Sequence, residues 1–353
     1  MFSIRPFEED DNITMLDIEK LCPQGNEKCA MGIDKRDIIA RYELYENWKV
    51  LVAEEEGKVV GWIGWTIKHG SSTEGTYVYI TEVMVHPEFR RKGIATRLVT
   101  EAEKNARETG SDHIYCYIFK PNDISKFLFE KLGYSYIQDF KSYAIPAYKI
   151  KNIAQKYEIE RIDKNDIPEV VHLINSYYTG RTHFVPYTTK NFESYANGIP
   201  AYGLENYWVV KDYGKIVACA GLWDFTVLGE ICYTKEPLLW KVMGLVFKLL
   251  SLFGKIPKIP AEGEYLKSYF ITDHAFKIDN PDAMSNLIRY FNNILVDAGI
   301  DFFAPILDPN DPLFEIIKKF KPQVETWYVF AKAIEKELPE FSPLYLDIRD
   351  MIL

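Results

Sequence analysis

Apolar positions along the chain alternate with period two in short runs, and recur with helical spacing in longer ones. Residues 48–66, WKVLVAEEEGKVVGWIGWT, and 208–223, WVVKDYGKIVACAGLW, both read as strand, Gly-centred turn, strand. Aligning Gly57 with Gly214 also pairs Lys58 with Lys215, Val60 with Val217 and Gly64 with Gly221. Further on, Lys120-Pro121-Asn122-Asp123 matches Asp308-Pro309-Asn310-Asp311. Each follows an apolar strand (114–119 and 302–307) and precedes an amphipathic run, then an aromatic strand (142–145 and 326–330). Phe2-Ser3-Ile4-Arg5 and Tyr157-Glu158-Ile159-Glu160 are short strands, each leading into a helix-like stretch. Matches in one order predict two related α/β units joined near 148–156.

Composition narrows the class. The 353 residues are 47 % hydrophobic and 26 % charged, enough apolar material for two cores. This excludes disordered, collagen-like and coiled-coil chains. With 42 basic against 51 acidic residues the net charge is -9, which argues against a dedicated nucleic-acid binder. Five cysteines, an odd number, form no disulfide framework, and a reducing cytoplasm is expected. The chain turns acidic by residues 8–11, unlike a secretory leader. Residues 237–253, PLLWKVMGLVFKLLSLF, are apolar but contain Lys241 and Lys248, and fall short of the roughly 20 apolar residues of a membrane span. No transmembrane segment is expected. The stretch reads as a buried core helix, or as an interface that would make the chain a homo-oligomer. The sharper reading is a lid over an apolar acceptor or a membrane-surface contact.

The chemistry lies between Tyr77 and Tyr134. Residues 77–85 form a β-rich run, broken by His86-Pro87-Glu88-Phe89. Arg90-Arg91-Lys92-Gly93-Ile94-Ala95-Thr96 then opens a helix running to about Glu108, with Ile94, Ala95, Leu98, Val99, Ala102 and Ala106 on one face. Unpaired N–H groups at a helix N-terminus bind anions, and the basic cluster adds positive charge. Together they describe a pyrophosphate cradle. A dinucleotide fingerprint would need two further glycines, and a Walker loop would need Gly-Lys-Ser/Thr.

Val85, Pro87, Arg90, Gly93 and Ala95 stand at the spacing of motif A of the GNAT superfamily of N-acyltransferases, which this stretch resembles. Residues 122–134, NDISKFLFEKLGY, are similar to its motif B. The resemblance covers about residues 2–147 strongly and 157–335 in outline. It implies an α/β fold with mixed sheets, as two tandem GNAT-like acyl-CoA N-acyltransferase folds. The expected organisation is 1–147, a catalytic domain binding acetyl-CoA, then 157–335, a degenerate GNAT-like domain with the apolar helix 237–253 inserted, then 336–353, a C-terminal tail.

The implied activity is transfer of acetyl from acetyl-CoA to a primary amine, on a small molecule or a peptide, by direct attack and without a metal. Arg90, Arg91, Lys92, Gly93, Ile94, Ala95 and Thr96 would hold the pyrophosphate. Val83 and Val85 would offer backbone groups to the pantetheine arm, the amide near Val83 would stabilise the oxyanion, and Asn122 and Ser125 would line the coenzyme. The alternatives are an enzyme using another acyl-CoA or a non-amine acceptor, and a non-catalytic acyl-CoA sensor.

Two positions leave the acid–base chemistry open. Phe129 stands where the family commonly has a tyrosine that protonates the leaving thiolate; Tyr115, Tyr117, Tyr134 and Tyr143 are candidate substitutes. Glu82, beside Val83 with its side chain on the Met84 side, either relays a proton from the amine or is paired with a neighbouring cation. His183, in loop 179–187, reads as part of a surface loop with a packed aromatic, or as a substrate contact. In the second unit, residues 278–287 (IDNPDAMSNL) lack the glycine and the basic cluster and carry added carboxylates, so that unit is expected to bind no coenzyme.

Overall fold

The two Gly-centred turns close matching hairpins. Glu56-Gly57 and Tyr213-Gly214 all have positive φ (54°, 75°, 48° and 75°), the backbone that a two-residue turn between right-twisted strands requires. The computed structural model describes residues 1–70, 75–250, 257–341 and 343–351. The first unit runs β1 (Ser3–Pro6), α1 (Asp11–Lys20), β2 (Gln24–Asn26), β3 (Cys29–Lys35), β4 (Trp48–Glu55), β5 (Lys58–His69), β6 (Thr76–Val85), α2 (Ile94–Glu108), β7 (His113–Phe119), α3 (Asp123–Lys131) and β8 (Ser135–Pro146). The second runs β9 (Glu158–Arg161), α4 (Ile167–Tyr178), α5 (Thr189–Gly198), β10 (Tyr207–Asp212), β11 (Lys215–Trp223), β12 (Gly229–Lys235), α6 (Leu238–Leu250), β13 (Ser268–Phe276), α7 (Pro281–Ala298), β14 (Phe302–Leu307), α8 (Phe314–Ile317) and β15 (Gln323–Ala333).

One sheet per unit is the expectation; the structure has one sheet for both. Its order is β1-β4-β5-β6-β7-β15-β8-β14-β13-β11-β10-β9. Read from either edge, the strands correspond in pairs, with β8 and β15 exchanged at the centre. β15 lies antiparallel between β7 (Trp327 opposite Phe119) and β8 (Trp327 opposite Phe140). β8 in turn pairs with β14 of the second unit. A strand edge left open exposes a row of unpaired N–H and C=O groups, and here each unit closes the other's. A small second sheet, β12-β3-β2, mixes the units again.

Gly64 and Gly221, paired in the sequence alignment, do the same work. A Cβ on Gly64 would lie 1.9 Å from Tyr42 Oη, and one on Gly221 would lie 2.3 Å from Tyr202 Oη. Each glycine lets a tyrosine lie against the sheet. Helices α2 and α7 pack on one face, over cores containing Leu98 and Phe129 in the first unit and Leu287 and Phe291 in the second. α4 and α5 cover the opposite face, where Tyr79, Tyr115, Phe140 and Trp327 share one core across both units.

Residues 336–353 read as a tail, yet Leu344, Tyr345, Asp347, Ile348, Asp350 and Met351 are buried. The segment crosses the sheet face, with Leu344 N–H donating to Asp308 (2.9 Å) and Lys68 Nζ to Asp350 (2.9 Å). α6 is not the buried core helix of one reading, since it is exposed along one side. Among the described residues no helix is long and apolar enough to cross a membrane.

The strand exchange predicts that neither unit folds alone. Residues 1–150 expressed by themselves are expected to lack near-ultraviolet circular dichroism, and to regain it when co-expressed with 151–353, with which they should co-purify. A native-like spectrum from 1–150 alone would show that β15 is dispensable.

Candidate active site

The site begins with an irregularity in β6. Gly64 pairs with Glu82 and Trp65 with Ile80, leaving Thr81 as an extra residue. Such a bulge bends a strand. β6 and β7 pair in parallel only from Tyr77–His113 to Ile80–Cys116, so they part where the bulge falls. Thr81 Oγ1 has two acceptors for its one proton, Tyr42 Oη (2.8 Å) and the Gly64 carbonyl (2.9 Å). Val83 and Val85 follow in the open fork, half-buried and turned toward the α2 core.

At one end of the fork lies the basic loop. Gly93, at φ 83°, is the N-cap of α2, and Arg91 is also left-handed at φ 63°. A Cβ on Gly93 would meet nothing within 4 Å, so the helix N-terminus faces an open bay, though the backbone conformation itself favours glycine. The first turn of α2 carries no acidic residue, and its leading N–H groups have no intrahelical acceptor. Arg91 and Lys92 are exposed, Lys92 resting on Glu55 (3.0 Å). Arg90 braces the loop, donating to the Val85 carbonyl (3.1 Å) and the Cys22 sulfur (3.2 Å). Ile94 is buried, Ala95 is half-buried and Thr96 exposed, so Ile94 can offer a ligand only its backbone. Asn122 caps α3, its Oδ1 accepting the Ser125 N–H (3.1 Å), and both lie at the end of β7, half-buried. This donor set suits a pyrophosphate.

On the opposite sheet face the fork opens into a cavity of about 80 Å³, room for several waters. Tyr79, Thr81, Tyr117, Phe140, Trp327 and Glu325 line it, with Trp240 of α6 and Asp350 at its margin. Glu325 comes from β15, the strand lent by the second unit. Burial pushes its carboxyl up to about 7. Tyr117 Oη is buried with no hydrogen-bond partner among the described residues. Tyr115 by contrast donates to Asp350 (2.9 Å); Tyr134 Oη is also buried without a partner among the described residues, but its ring packs edge-on against Phe129 in the α2 core, away from the cavity, and Tyr143 belongs to the α7 core. Phe129 itself is a core residue, 4 % exposed.

Glu82 is not at this cavity. Its side chain accepts from Lys35, Arg41 (2.8 Å), Tyr42 (3.2 Å) and Trp62 (3.4 Å), all buried. Burial alone would raise its pKa, but Lys35 and Arg41 outweigh that and hold it down at about 2. A carboxylate so stabilised is a weak proton acceptor. The paired reading of Glu82 is the one the geometry supports.

The second unit repeats the device. Ile271-Thr272-Asp273 matches Ile80-Thr81-Glu82, β13 and β14 pair only from Ser268–Phe302 to Ile271–Pro305, and Asp273 is left-handed at φ 44°. Asp273 is bound by Tyr202 (2.9 Å), Tyr195 (3.2 Å) and Tyr345 (3.2 Å). This second fork is filled: Arg181 Nη1 reaches Asp311 (2.8 Å), His274 Nε2 lies 3.2 Å from the same carboxylate, and residues 344–346 pass over them. At its helix start, α7, stands Asp282 rather than a basic cluster. His183, expected in a surface loop, is buried, with Nε2 3.0 Å from His113 Nε2 and its ring stacked on Tyr77 at 4.1 Å.

Residues 14–134 match the Acetyltransferase (GNAT) family. An acetyltransferase of Photorhabdus laumondii is 33 % identical over 132 residues, 37 % of this chain and 85 % of that protein. The chain belongs to the GNAT acetyltransferase family. Its fold extends the likeness beyond the matched segment. A GCN5-related glucosamine N-acetyltransferase region of a fungal multi-domain β-N-acetylglucosaminidase superposes with a TM-score of 0.63 at 14 % identity, over 94 % of this chain and 38 % of that one. N-myristoyltransferase of Saccharomyces cerevisiae with bound myristoyl-CoA gives 0.60 at 14 %, over 96 % and 83 %. A tandem GNAT protein from the clavulanic acid biosynthesis pathway gives 0.58 at 10 %, over 95 % and 99 %. These show the shared fold.

Replacing Glu82 by Gln is expected to cost about 3–5 kcal/mol of stability, because it leaves Lys35 and Arg41 short of a buried partner. Urea denaturation measures this. Catalysis measured below the unfolding range should keep its dependence on pH. A stable Glu82→Gln protein with a lost pH dependence would return the base role to Glu82.

Proposed function

We propose that the chain transfers an acetyl group from acetyl-CoA to a primary amine by direct attack, on the first unit (1–147) completed by β15. The observation that carries this reading is the fork between β6 and β7, with a basic, open helix N-terminus at one end and a half-buried acid lining a cavity at the other. Arg91, Lys92 and the amides of residues 93–96 hold the pyrophosphate, with Arg90 bracing the loop. Asn122 and Ser125 flank the coenzyme from α3. The backbone of Val83 and Val85 receives the pantetheine arm along the fork.

In this scheme the acceptor enters the cavity as an ammonium ion. Glu325 takes its proton, a transfer matched to a carboxyl near 7. The nitrogen attacks the thioester carbonyl, the C–N bond forms, and the Val83 amide holds the oxyanion. As the C–S bond breaks, the surplus proton on the new amide nitrogen goes to the leaving thiolate through the Tyr117 hydroxyl, which gives its own proton and takes that one, the part that Phe129 cannot play. Lys35, Arg41 and Glu82 act beneath this site as a buried brace. The five thiols, none in a disulfide, support a reducing setting such as the cytoplasm.

A second reading, a longer acyl donor, is favoured by one observation. The cavity walls include Ile231, Phe270, Phe302 and Trp327, more apolar surface than an acetyl group needs.

Calorimetric titration of acetyl-CoA is expected to show one site per chain, lost in Gly93→Glu. Two sites would mean that the second fork also opens. Thiol release with a panel of amines should rise with pH through about 7, since Glu325 must be ionised. Glu325→Gln should lower kcat by about 10²–10⁴ and remove that rise, yet be no less stable, because a buried carboxylate opposes folding as pH climbs from its ordinary value toward 7. Full activity in Glu325→Gln would dismiss Glu325 as the base. Faster release from longer acyl-CoA donors would favour the second reading.

A further inference from the structure

α6 is apolar on two sides. Inward, Trp240 packs on Tyr233 with ring centroids 4.8 Å apart, and Gln323 Nε2 donates to the Met243 sulfur at 3.5 Å. Outward, Leu238, Val242, Leu245, Val246 and Leu249 are 47 % to 78 % exposed. Their spacing places them on one stripe of the helix. Exposed apolar side chains scattered singly need no explanation, whereas a contiguous stripe marks a surface that something covers.

Charge identifies what covers it. Lys241 and Lys248 flank the stripe on one edge, both exposed, with Lys241 also reaching Glu262 (3.2 Å). Residues 235–264 hold five lysines against three acids, Glu236, Glu262 and Glu264, a positive balance in a chain whose net charge is -9; Glu262 pairs with Lys235 and Lys241, and Glu264 with Lys258. An acidic protein is repelled by an anionic surface everywhere except at such a patch. Leucine and valine on one face with lysine beside them is the pattern of a helix lying in the plane of a membrane interface, where lysine stems reach up to the headgroups. A second copy fits less well. Antiparallel pairing of two α6 helices about a two-fold axis would bring both lysine edges to the same side.

We propose that α6 docks the protein on an anionic membrane surface, with the Leu/Val stripe in the boundary between headgroups and acyl chains and Lys241 and Lys248 among the headgroups. The same helix lines the cavity with Trp240 on its inward side, so the docked helix also forms part of the cavity wall. Docking is read from binding alone and stands apart from the assignment of the reaction.

The full chain is expected to co-sediment with vesicles of mixed phosphatidylglycerol and phosphatidylcholine, and not with phosphatidylcholine alone. Added salt should weaken the association. Lys241→Gln with Lys248→Gln should lower partitioning about 25-fold, roughly fivefold for each lysine. Leu245→Glu, and independently Leu249→Glu, should abolish it while near-ultraviolet circular dichroism stays native. Equal binding to both vesicle types, or undiminished binding by the two glutamate variants, overturns the proposal. So does a dimer in sedimentation velocity that Leu245→Glu dissolves, with no vesicle binding: that result would assign the stripe to a second copy.

Discussion

The pairing of β8 with β15 at the centre of the sheet is the contact on which the rest of the molecule depends. Backbone N–H and C=O groups along a strand edge must find partners when buried. β7 has no neighbour from its own unit on that side, and β14 has none from its own. Each edge is met by the closing strand of the other unit. The exchange makes one continuous sheet out of two repeats. It also brings Glu325 and Trp327, which lie late in the chain, onto the face where the β6–β7 fork opens. The cavity is therefore composite. Tyr79, Thr81 and Tyr117 come from the first repeat, and Glu325 from the second.

The two repeats show how one backbone device serves two ends. In both, an Ile-Thr-acid step breaks the parallel pairing and opens a fork, and in both the acid accepts from tyrosine, Glu82 also from Lys35, Arg41 and Trp62. The carboxylate recurs in the unit without a basic loop, so in both repeats it goes with the fork. What separates the repeats is what surrounds the opening. In the first, Gly93 and a basic run lead into α2 and the space beyond is open. In the second, Asp282 leads α7, the Arg181–Asp311–His274 cluster fills the gap, and the segment from Leu344 onward covers it. The closed fork becomes an anchor, from which the chain continues to Asp347 and Asp350 beside Lys68.

Local features were legible in the sequence because local physics sets them. Hairpin turns at Gly57 and Gly214 and the helix start at Gly93 each depend on a few adjacent residues. The strand exchange was not legible. β8 and β15 both carry strand alternation, and nothing in that alternation says which edge a strand will join. Glu325 left a fainter signal: it shares a period-two face with Trp327 and Val329, which are buried, so a carboxylate stands among core positions. The Ile-Thr-acid match was also present, but its meaning depends on the register that places both steps at a fork. The burial of residues 344–351 rests on contacts with Tyr45, Tyr115 and Thr182, far away in the chain. The exposure of α6 reverses what its apolar composition suggests, since composition alone does not distinguish a covered helix from one awaiting a cover.

The exchanged strand has a consequence for the life of the nascent chain. Roughly 200 residues separate β7 from β15, and at ~5–20 residues per second their synthesis takes about 10–40 s. Throughout that interval the edge of β7, with its run of aromatic and aliphatic side chains, waits without its neighbour. An open edge of this kind invites pairing with other chains. Translation speed and chaperone capture thus bear on the yield of this protein more than on that of a single-unit relative, whose closing strand follows within a few seconds of the strand it joins.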